Sequence, residues 1–338
     1  MKVFKNNFTI FLPVRNGMPF IKDAVNSILN QSYKSFNLHV LDNNSSDGTY
    51  EWIKSIADER IILQQSKIDL PIEESWQRIL YCDKEEFMTM FASDDILHKD
   101  FLFEINSLIN KDPQATLYQT GGEFINSKGK KIRDCYPVKD IEKIKDYLSD
   151  RYDFKKDVSG TGYVMRSNDY NSIGGIPIVE KLSFSDDMLW IKLMEKSHKR
   201  FLDKNLYKIR IHQKSESSTL PRNWRPFLNA LINFNDFLKI YENDKNNYLD
   251  NIKTKKEDFL SKYIQNIYIL AILHYAPKKI SEVNKLEIEN AFNRLVNNRA
   301  RSVYDSNKIK LVNLIMKTPM RYMIIYMWNI YLYFKNRD

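Results

Sequence analysis

Cysteine is almost missing from this chain: among 338 residues there are two, Cys82 and Cys135. Two thiols make no disulfide framework, and no Cys-x-x-Cys spacing offers a zinc site. Both are expected to be reduced, which suits a cytoplasmic protein. Glycine and proline are sparse, at 9 and 10 residues, which excludes a loop-dominated or disordered chain. Long apolar runs are lacking too. The longest uncharged stretch of the apolar, Met-rich and aromatic segment 311–334 is Tyr322 to Phe334, 13 residues, short of the ~20 that span a bilayer. Near the start, Phe8–Val14 gives only seven mostly apolar residues before Arg15, with no small-residue cleavage site. It reads as a buried strand rather than a signal peptide.

Acidic residues are scarce in one part only. Residues 1–200 carry 28 Lys/Arg against 30 Asp/Glu, whereas residues 201–338 carry 24 against 13, so the net charge of +9 belongs to the C-terminal part. Such a region suits a polyanionic partner, membrane surface or nucleic acid, or serves only as a solubilising excess. No RNP-type, zinc-finger or recognition-helix signature is present, so no nucleic-acid partner is expected.

What remains is ordinary globular material, 43% hydrophobic and 28% charged, with 20 Tyr and 19 Phe. The length allows one large domain or two smaller ones. The first hundred residues alternate strand and helix patterns. Strands are predicted at 8–14, 36–42, 60–65 and 86–93, and helices at 18–32, 48–57 and 73–82, with Phe20, Ala24, Ile28 and Leu29 on one face of the first. This β-α-β-α order implies an α/β fold with a mostly parallel sheet flanked by helices. In such sheets ligands bind beyond the carboxyl ends of strands, where Asp42 and the run Ser93-Asp94-Asp95 fall. The pattern then weakens through a helix (101–112), a strand (115–126) and a lysine-rich polar region (128–157). Residues 205–219 read as a strand running into a polar loop, and 226–241, 255–275 and 281–298 as long helices.

Two stretches repeat an acidic motif: "FASDDIL" (91–97) and "FSDDMLW" (184–190). The second precedes "MLWIKLMEKS" (188–197), with apolar residues at three- and four-residue spacing. There a Ser-Asp opening reads as a helix cap: the hydroxyl accepts a free backbone N–H, and the acids meet the positive end of the helix dipole. A cap alone would account for it.

The run "TIFLPVRNGMPFIKDAVNSILNQSYKSFNLHVLDNNSSDGT" (9–49) adds more. It contains a Pro-x-x-Asn turn (Pro13, Asn16), the helix end "SILNQSY" (27–33) and "DNNSSDGT" (42–49). In this order and spacing the motifs resemble the opening of family 2 glycosyltransferases, the inverting GT-A enzymes of bacterial polysaccharide synthesis. The resemblance covers roughly residues 8–219. It implies a GT-A, Rossmann-like catalytic domain over 1–222, followed by a basic helical region, 223–338, serving membrane association or oligomerisation.

The resemblance also implies roles. Pro13, Val14 and Asn16 would lie near the nucleotide and Asp42 would hydrogen-bond its base, although Asp42-Asn43-Asn44-Ser45 alone reads as an Asx-rich turn. Arg78 and Trp76 would contact the base or diphosphate; a Trp there could equally be core. "FASDDIL" stands at the family's metal motif. Ala92 replaces its first acid, Ser93 is the middle residue, and Asp94 inherits the metal role, with Asp95 as a hydrogen-bonding support. One protein carboxylate can suffice, because a nucleotide diphosphate brings most of the oxygens that Mg²⁺ or Mn²⁺ needs. "FSDDMLW" stands at the family's Glu-Asp pair: Asp186 aligns with the catalytic base, Asp187 is the near alternative, and Ser185 replaces the usual Glu. Trp190 would face the acceptor, or be core. Gly160, Thr161 and Gly162 match an acceptor-side segment, or are simple turns. His212, beside Arg210, would touch the metal or diphosphate, or be structural.

The implied activity is inverting transfer of a sugar from a nucleotide donor, a UDP-hexose or UDP-N-acetylhexosamine, to a hydroxyl of a lipid-linked glycan acceptor. The setting would be O-antigen or capsule synthesis on the cytoplasmic face of the membrane, with a homo-oligomer as a further possible assembly. A non-catalytic sugar-nucleotide or glycan-binding protein on the same fold is the alternative, prompted by Ala92 and Ser185. Nucleotidyl transfer is a third class, but its glycine-rich entry loop is missing.

Overall fold

The computed structural model describes residues 5–212, 224–242, 252–275, 282–295, 307–316 and 318. The chain divides into two compact units: Met1–Tyr147 with Lys155–Arg210, and Leu148–Phe154 with Ile211–Asp338.

The first unit is built on one ten-stranded sheet. Its strands are β1 (Phe8–Val14), β2 (Phe36–Asp42), β3 (Ile61–Gln65), β4 (Phe87–Met90), β5 (Ile96–Leu97), β6 (Leu117–Ile125), β7 (Lys131–Asp134), β8 (Ile141–Glu142), β9 (Tyr163–Arg166) and β10 (Lys199–Arg210). The order is β3-β2-β1-β4-β9-β6-β10-β5, with β7 on β6 and β8 on β10. β3, β2, β1 and β4 are mutually parallel, joined by helices α1 (Ile21–Leu29), α2 (Thr49–Lys54) and α3 (Ile72–Gln77). Every residue of β1 is buried, as a strand covered by helices on both faces requires. α1 buries Ile21, Ala24, Val25 and Ile28, the three- and four-residue spacing of an amphipathic helix.

Beyond β4 the sheet is mixed. β9 enters antiparallel between β4 and β6, and β6 runs parallel to β10. Three further helices belong to this stretch, α4 (Phe101–Lys111), α6 (Ser167–Ser172) and α7 (Ser185–Lys196), while α5 (Ile144–Tyr152) starts in the first unit and ends in the second. The lysine-rich region 128–157 is thus not one loop, since it contains β7, β8 and α5. The helix expected at 73–82 stops at Gln77 and tightens into a 3-10 turn over Arg78–Tyr81.

Register fixes where the strand ends meet. Val14 pairs with Asp42, and Asp42 with Gln65. The Asn43 N–H continues the ladder to the Val14 carbonyl at 2.8 Å, and the Phe91 N–H donates to the Phe11 carbonyl at 2.8 Å. The chain therefore leaves β1, β2 and β4 at one edge of the sheet.

The second unit is helical: α8 (Trp224–Glu242), α9 (Lys253–Tyr275), α10 (Glu282–Leu295) and α11 (Asn307–Met316). Its buried side chains include Leu231, Phe234, Phe259, Ile264 and Phe292. The Tyr152 and Phe259 rings meet at 5.3 Å, and Arg294 pairs with Asp236 at 2.7 Å. The loop expected after His212 and the aromatic run Tyr322–Phe334 lie outside the described residues. Among the described residues no helix is long and apolar enough to cross a membrane.

Candidate active site

The turns after β1 and β2 are tied together by side chains. Asn16 adopts a left-handed backbone, φ 52°. Its amide oxygen accepts the Ser46 N–H at 2.8 Å, and its own N–H donates to Ser45 Oγ at 2.9 Å. The Gly17 N–H reaches Thr49 Oγ1 and the Met18 N–H reaches Asp47 Oδ2, each at 2.9 Å. These bonds hold the Asp47 carboxyl below its usual range: burial opposes the shift, and the hydrogen bonds from Thr49 and Met18 outweigh it. Asn16, expected to lie near the nucleotide, thus spends its amide oxygen as a brace.

Asp42 is fully buried. Its Oδ2 accepts the Ser45 N–H and Gln65 Nε2, both at 3.1 Å, while its buried Oδ1 has no partner among the described residues. That orphan acceptor distinguishes Asp42 from an ordinary Asx turn, because a buried carboxylate oxygen left unpaired is costly. The Arg78 guanidinium donates to the Asp42 carbonyl at 2.9 Å, and burial lowers its proton affinity. Pro13 and Val14 are buried strand residues beside Asp42. Asn43 pins the neighbouring loop by exchanging two 2.9 Å bonds with the Leu70 backbone, and Asp69 pairs with Arg15 and accepts from Asn44.

The first acidic motif forms the turn from β4 to β5. Ser93 and Asp94 are half-buried; Asp95 is buried. Arg210, the last residue of β10, latches this turn. Its N–H donates to Asp95 Oδ1 and its Nε to the Asp94 carbonyl, each at 2.9 Å, while a terminal nitrogen pairs with Asp23 at 2.9 Å. Burial, then the Asp94 carboxylate, pushes Asp95 up to about 8. Thr161 Oγ1 accepts the Ala92 N–H at 3.2 Å and also bonds the Asp95 side chain. Thr161 is buried and serves this turn.

The second motif opens α7, but not as a capped helix. Phe184, at φ 67°, is the residue before the helix and provides no side-chain cap. Ser185 is already helical, and its buried hydroxyl lacks a partner among the described residues. Asp186 is half-buried and Asp187 buried. Burial, then the Asp187 carboxylate, pushes Asp186 up to about 7. Asp187 Oδ1 accepts the Tyr147 hydroxyl at 2.7 Å. A methyl group placed on Gly160 would lie 3.7 Å from both Asp186 Oδ1 and the Trp76 ring, so these three residues converge. Trp190 corrects the expectation that it faces an acceptor: it is fully buried, stacked on Tyr163 with ring centroids 4.3 Å apart. It occupies a core position of α7. Gly162 has its own reason to be glycine, since at φ +92° an added Cβ would meet the Tyr207 ring at 2.3 Å.

Among the described residues no three His, Cys, Asp or Glu side chains gather to hold a metal ion. His212 belongs to the second unit. A metal here would take most of its oxygens from a bound diphosphate, and a half-buried Asp94 at a strand end is compatible with that. Sequence reading missed the supports: Asn43, Asp69, Arg210 and Tyr147. Two of them carried a signal: Asn43 stands in the Asx-rich run after Asp42, and Arg210 in the strand-end run with His212.

Residues 9–168 match the sequence family described as Glycosyl transferase family 2. The chain is 25% identical over 249 residues to an uncharacterized glycosyltransferase of Rickettsia conorii, covering 68% of this chain and 39% of that protein. It is 24% identical over 219 residues to one of Rickettsia typhi, covering 62% and 66%. It thus spans less than two thirds of either relative. Among solved structures it resembles S. aureus TarS 1–349 in complex with UDP-GlcNAc, with TM-score 0.63, 17% identity and coverage of 86% of this chain and 80% of that one. It also resembles the mannosyltransferase PcManGT from Pyrobaculum calidifontis in complex with GDP-Man and Mn²⁺, with TM-score 0.53, 12% identity and coverage of 96% and 88%. At these identities the structural likeness is one of fold.

Proposed function

We propose that this chain, whose residues 9–168 match glycosyltransferase family 2, moves a hexose or N-acetylhexosamine from a UDP-linked donor to a glycan hydroxyl with inversion. The observation that carries the reading is the half-buried Asp186, pushed up to about 7, whose Oδ1 would lie 3.7 Å from a methyl group placed on Gly160, as would the Trp76 ring. A carboxyl of that proton affinity suits a general base near neutral pH.

In this reading the base of the nucleotide donates to the orphan Oδ1 of Asp42, beside Pro13 and Val14, while Arg78 fixes the Asp42 backbone. Asp94 and Ser93 meet the diphosphate end. Asp94 would hold a divalent metal, Mn²⁺ or Mg²⁺; when bound, the metal would supply positive charge against the leaving diphosphate. The Mn²⁺ in the P. calidifontis complex supports this assignment, and the UDP-GlcNAc in the TarS complex supports the donor class. Asp186 takes the proton of the acceptor hydroxyl as its oxygen attacks the anomeric carbon. The C–O bond to the diphosphate breaks, and single displacement turns an α-linked donor into a β-linked product. Gly160 leaves room beside Asp186 for the acceptor.

The domain assignment is catalytic for 1–222 and membrane-associating or oligomerising for 223–338. The acceptor is a lipid-linked glycan of O-antigen or capsule synthesis at the inner membrane face. The excess of 24 Lys/Arg over 13 Asp/Glu in residues 201–338 supports it, since basic residues are drawn to anionic headgroups.

The test is calorimetric titration of UDP, GDP and CDP with and without Mn²⁺, on the wild type and Asp94→Ala. Mn²⁺-dependent UDP binding that Asp94→Ala loses is the expected result. A folded protein that binds none of the three overturns the reading and leaves the binding-module alternative.

A further inference from the structure

The tryptophans of this chain are not used alike. Trp52 lies under the Lys22 ammonium, 5.9 Å from the ring centroid, and Trp224 under the Arg225 guanidinium at 4.8 Å. Trp190 is buried and stacked on Tyr163. Trp76 is half-buried, and among the described residues no aromatic ring or cation covers its indole.

The surroundings of Trp76 are held in place from two sides. It stands on α3 three residues after Glu73, so both side chains leave one face of the helix. Glu73 Oε1 accepts the Lys181 N–H at 2.6 Å, which ties that face to the segment leading into α7. Gly160 is fixed through its neighbour Thr161, whose Oγ1 accepts the Ala92 N–H at 3.2 Å and whose carbonyl accepts the Ser159 hydroxyl at 2.9 Å. A methyl group placed on Gly160 would lie 3.7 Å from two carbons of the six-membered ring of Trp76 and 3.7 Å from Asp186 Oδ1. The open side of Gly160 is thus a recess with an aromatic edge on one hand and a carboxyl oxygen on the other. Gly160 and Asp186, like Trp76, are half-buried rather than sealed in the core.

An apolar ring beside a carboxyl is a divided environment. A diphosphate would meet like charge there. A pyranose meets both halves: its C–H groups pack on the indole, whose electron-rich surface attracts their partial positive charge, and a hydroxyl on its rim donates to the carboxyl. We propose that Trp76 is the sugar-binding residue of the acceptor side, its indole and the open side of Gly160 holding a pyranose ring of the acceptor with a hydroxyl turned to Asp186. This moves Trp76 from the base or diphosphate contact expected of it to the acceptor. The inference deepens the transferase reading by naming the residue and the ligand class of that side, and it rests on that reading only for the fate of the hydroxyl.

The test uses the methyl pyranosides of glucose, galactose, mannose and N-acetylglucosamine as probes, followed by saturation-transfer difference NMR on the full chain with UDP and Mn²⁺ present. At least one is expected to receive saturation through its ring C–H protons. Its dissociation constant is expected to rise about tenfold in Trp76→Leu and about threefold or less in Trp76→Phe, which keeps a ring. UDP affinity by calorimetry is expected to stay within about twofold of wild type in both. Gly160→Ala keeps the fold, because the added methyl meets its neighbours at 3.7 Å; by filling the recess it is expected to weaken the glycoside by about tenfold. A wild type that binds none of the four glycosides, or a Trp76→Leu or Gly160→Ala protein that binds as tightly as wild type, overturns the proposal. A folded Trp76→Leu protein that loses UDP also overturns it, since Trp76 would then be a donor contact. A wild type that binds a glycoside through Trp76 but binds no UDP would sink the transferase reading and leave the sugar site standing.

Discussion

Asp186 and Asp187 are adjacent and chemically identical, yet the fold gives them different surroundings. One is half-buried beside Gly160 and Trp76; the other is buried against a tyrosine hydroxyl. Replacing Asp186 by Asn removes the base while preserving shape. Transfer is expected to fall by roughly 10²–10⁴-fold, with UDP affinity by calorimetry within about twofold of wild type. Loss of UDP binding in a folded Asp186→Asn protein would contradict that role. The pH dependence follows from the sign of the shift. The folded carboxyl is raised from 3.8 to about 7, so below that value it is protonated and cannot act as a base. The rate is expected to climb about tenfold per pH unit up to ~7 and then level off, and a profile flat from pH 5 to 8 would exclude Asp186. Gly162 makes a different residue-scale prediction. Gly162→Ala places a Cβ at left-handed φ and into the Tyr207 ring, and should destabilise by roughly 1–3 kcal/mol, read as a lower urea midpoint at unchanged slope.

At the scale of elements, the strand ends form a site because side chains cross-link the turns that follow them. Asn43 is the clearest case. Asn43→Ala leaves the Leu70 N–H and carbonyl without their partners. Exchange of the Leu70 amide with solvent is expected to speed up about 5–150-fold, the equivalent of ~1–3 kcal/mol for an unmade bond; unchanged exchange would mean that the loop is held elsewhere. The Asp47 clasp has a pH signature. Its carboxyl is depressed in the fold, so it contributes stability above its unfolded value near 3.8, and loses it as pH falls through the lower folded value. The Asp47→Asn protein should therefore show a shallower acid loss of stability than wild type below pH 4. The elements themselves were largely legible. Phe8–Val14 and Phe36–Asp42 read as strands because continuous apolar runs bounded by polar turns have few alternatives. The 73–82 helix was overextended because helical propensity continues through Arg78–Tyr81, where tertiary contacts of Arg78 with Asp42 and Gln64 tighten the last turn.

For the whole molecule, the division of charge belongs to a proposal about the membrane. If the basic part meets anionic headgroups, the full chain should float with vesicles containing phosphatidylserine at low salt and be released by ~0.5 M salt, where the Debye length falls below ~5 Å. Equal partitioning to neutral vesicles, or none to either, would remove the membrane assignment.

Sequence alone determined the α/β order, the strand ends that carry Asp42 and Asp94, the second acidic pair and the helical character beyond residue 223. Those are local: apolar periodicity, turn residues and ordered short motifs are written within a few residues of one another. What only the tertiary structure decided was which partner each polar atom meets. Trp190 became core because α7 packs on Tyr163, Asn16 became a brace because Ser46 lies opposite, and Ser185 failed to cap because Phe184 takes the position before the helix. The separation of Asp186 from Asp187 depends on Tyr147, forty residues away in sequence. Its physical cause is burial and a hydrogen bond between elements whose meeting no local pattern in the sequence records.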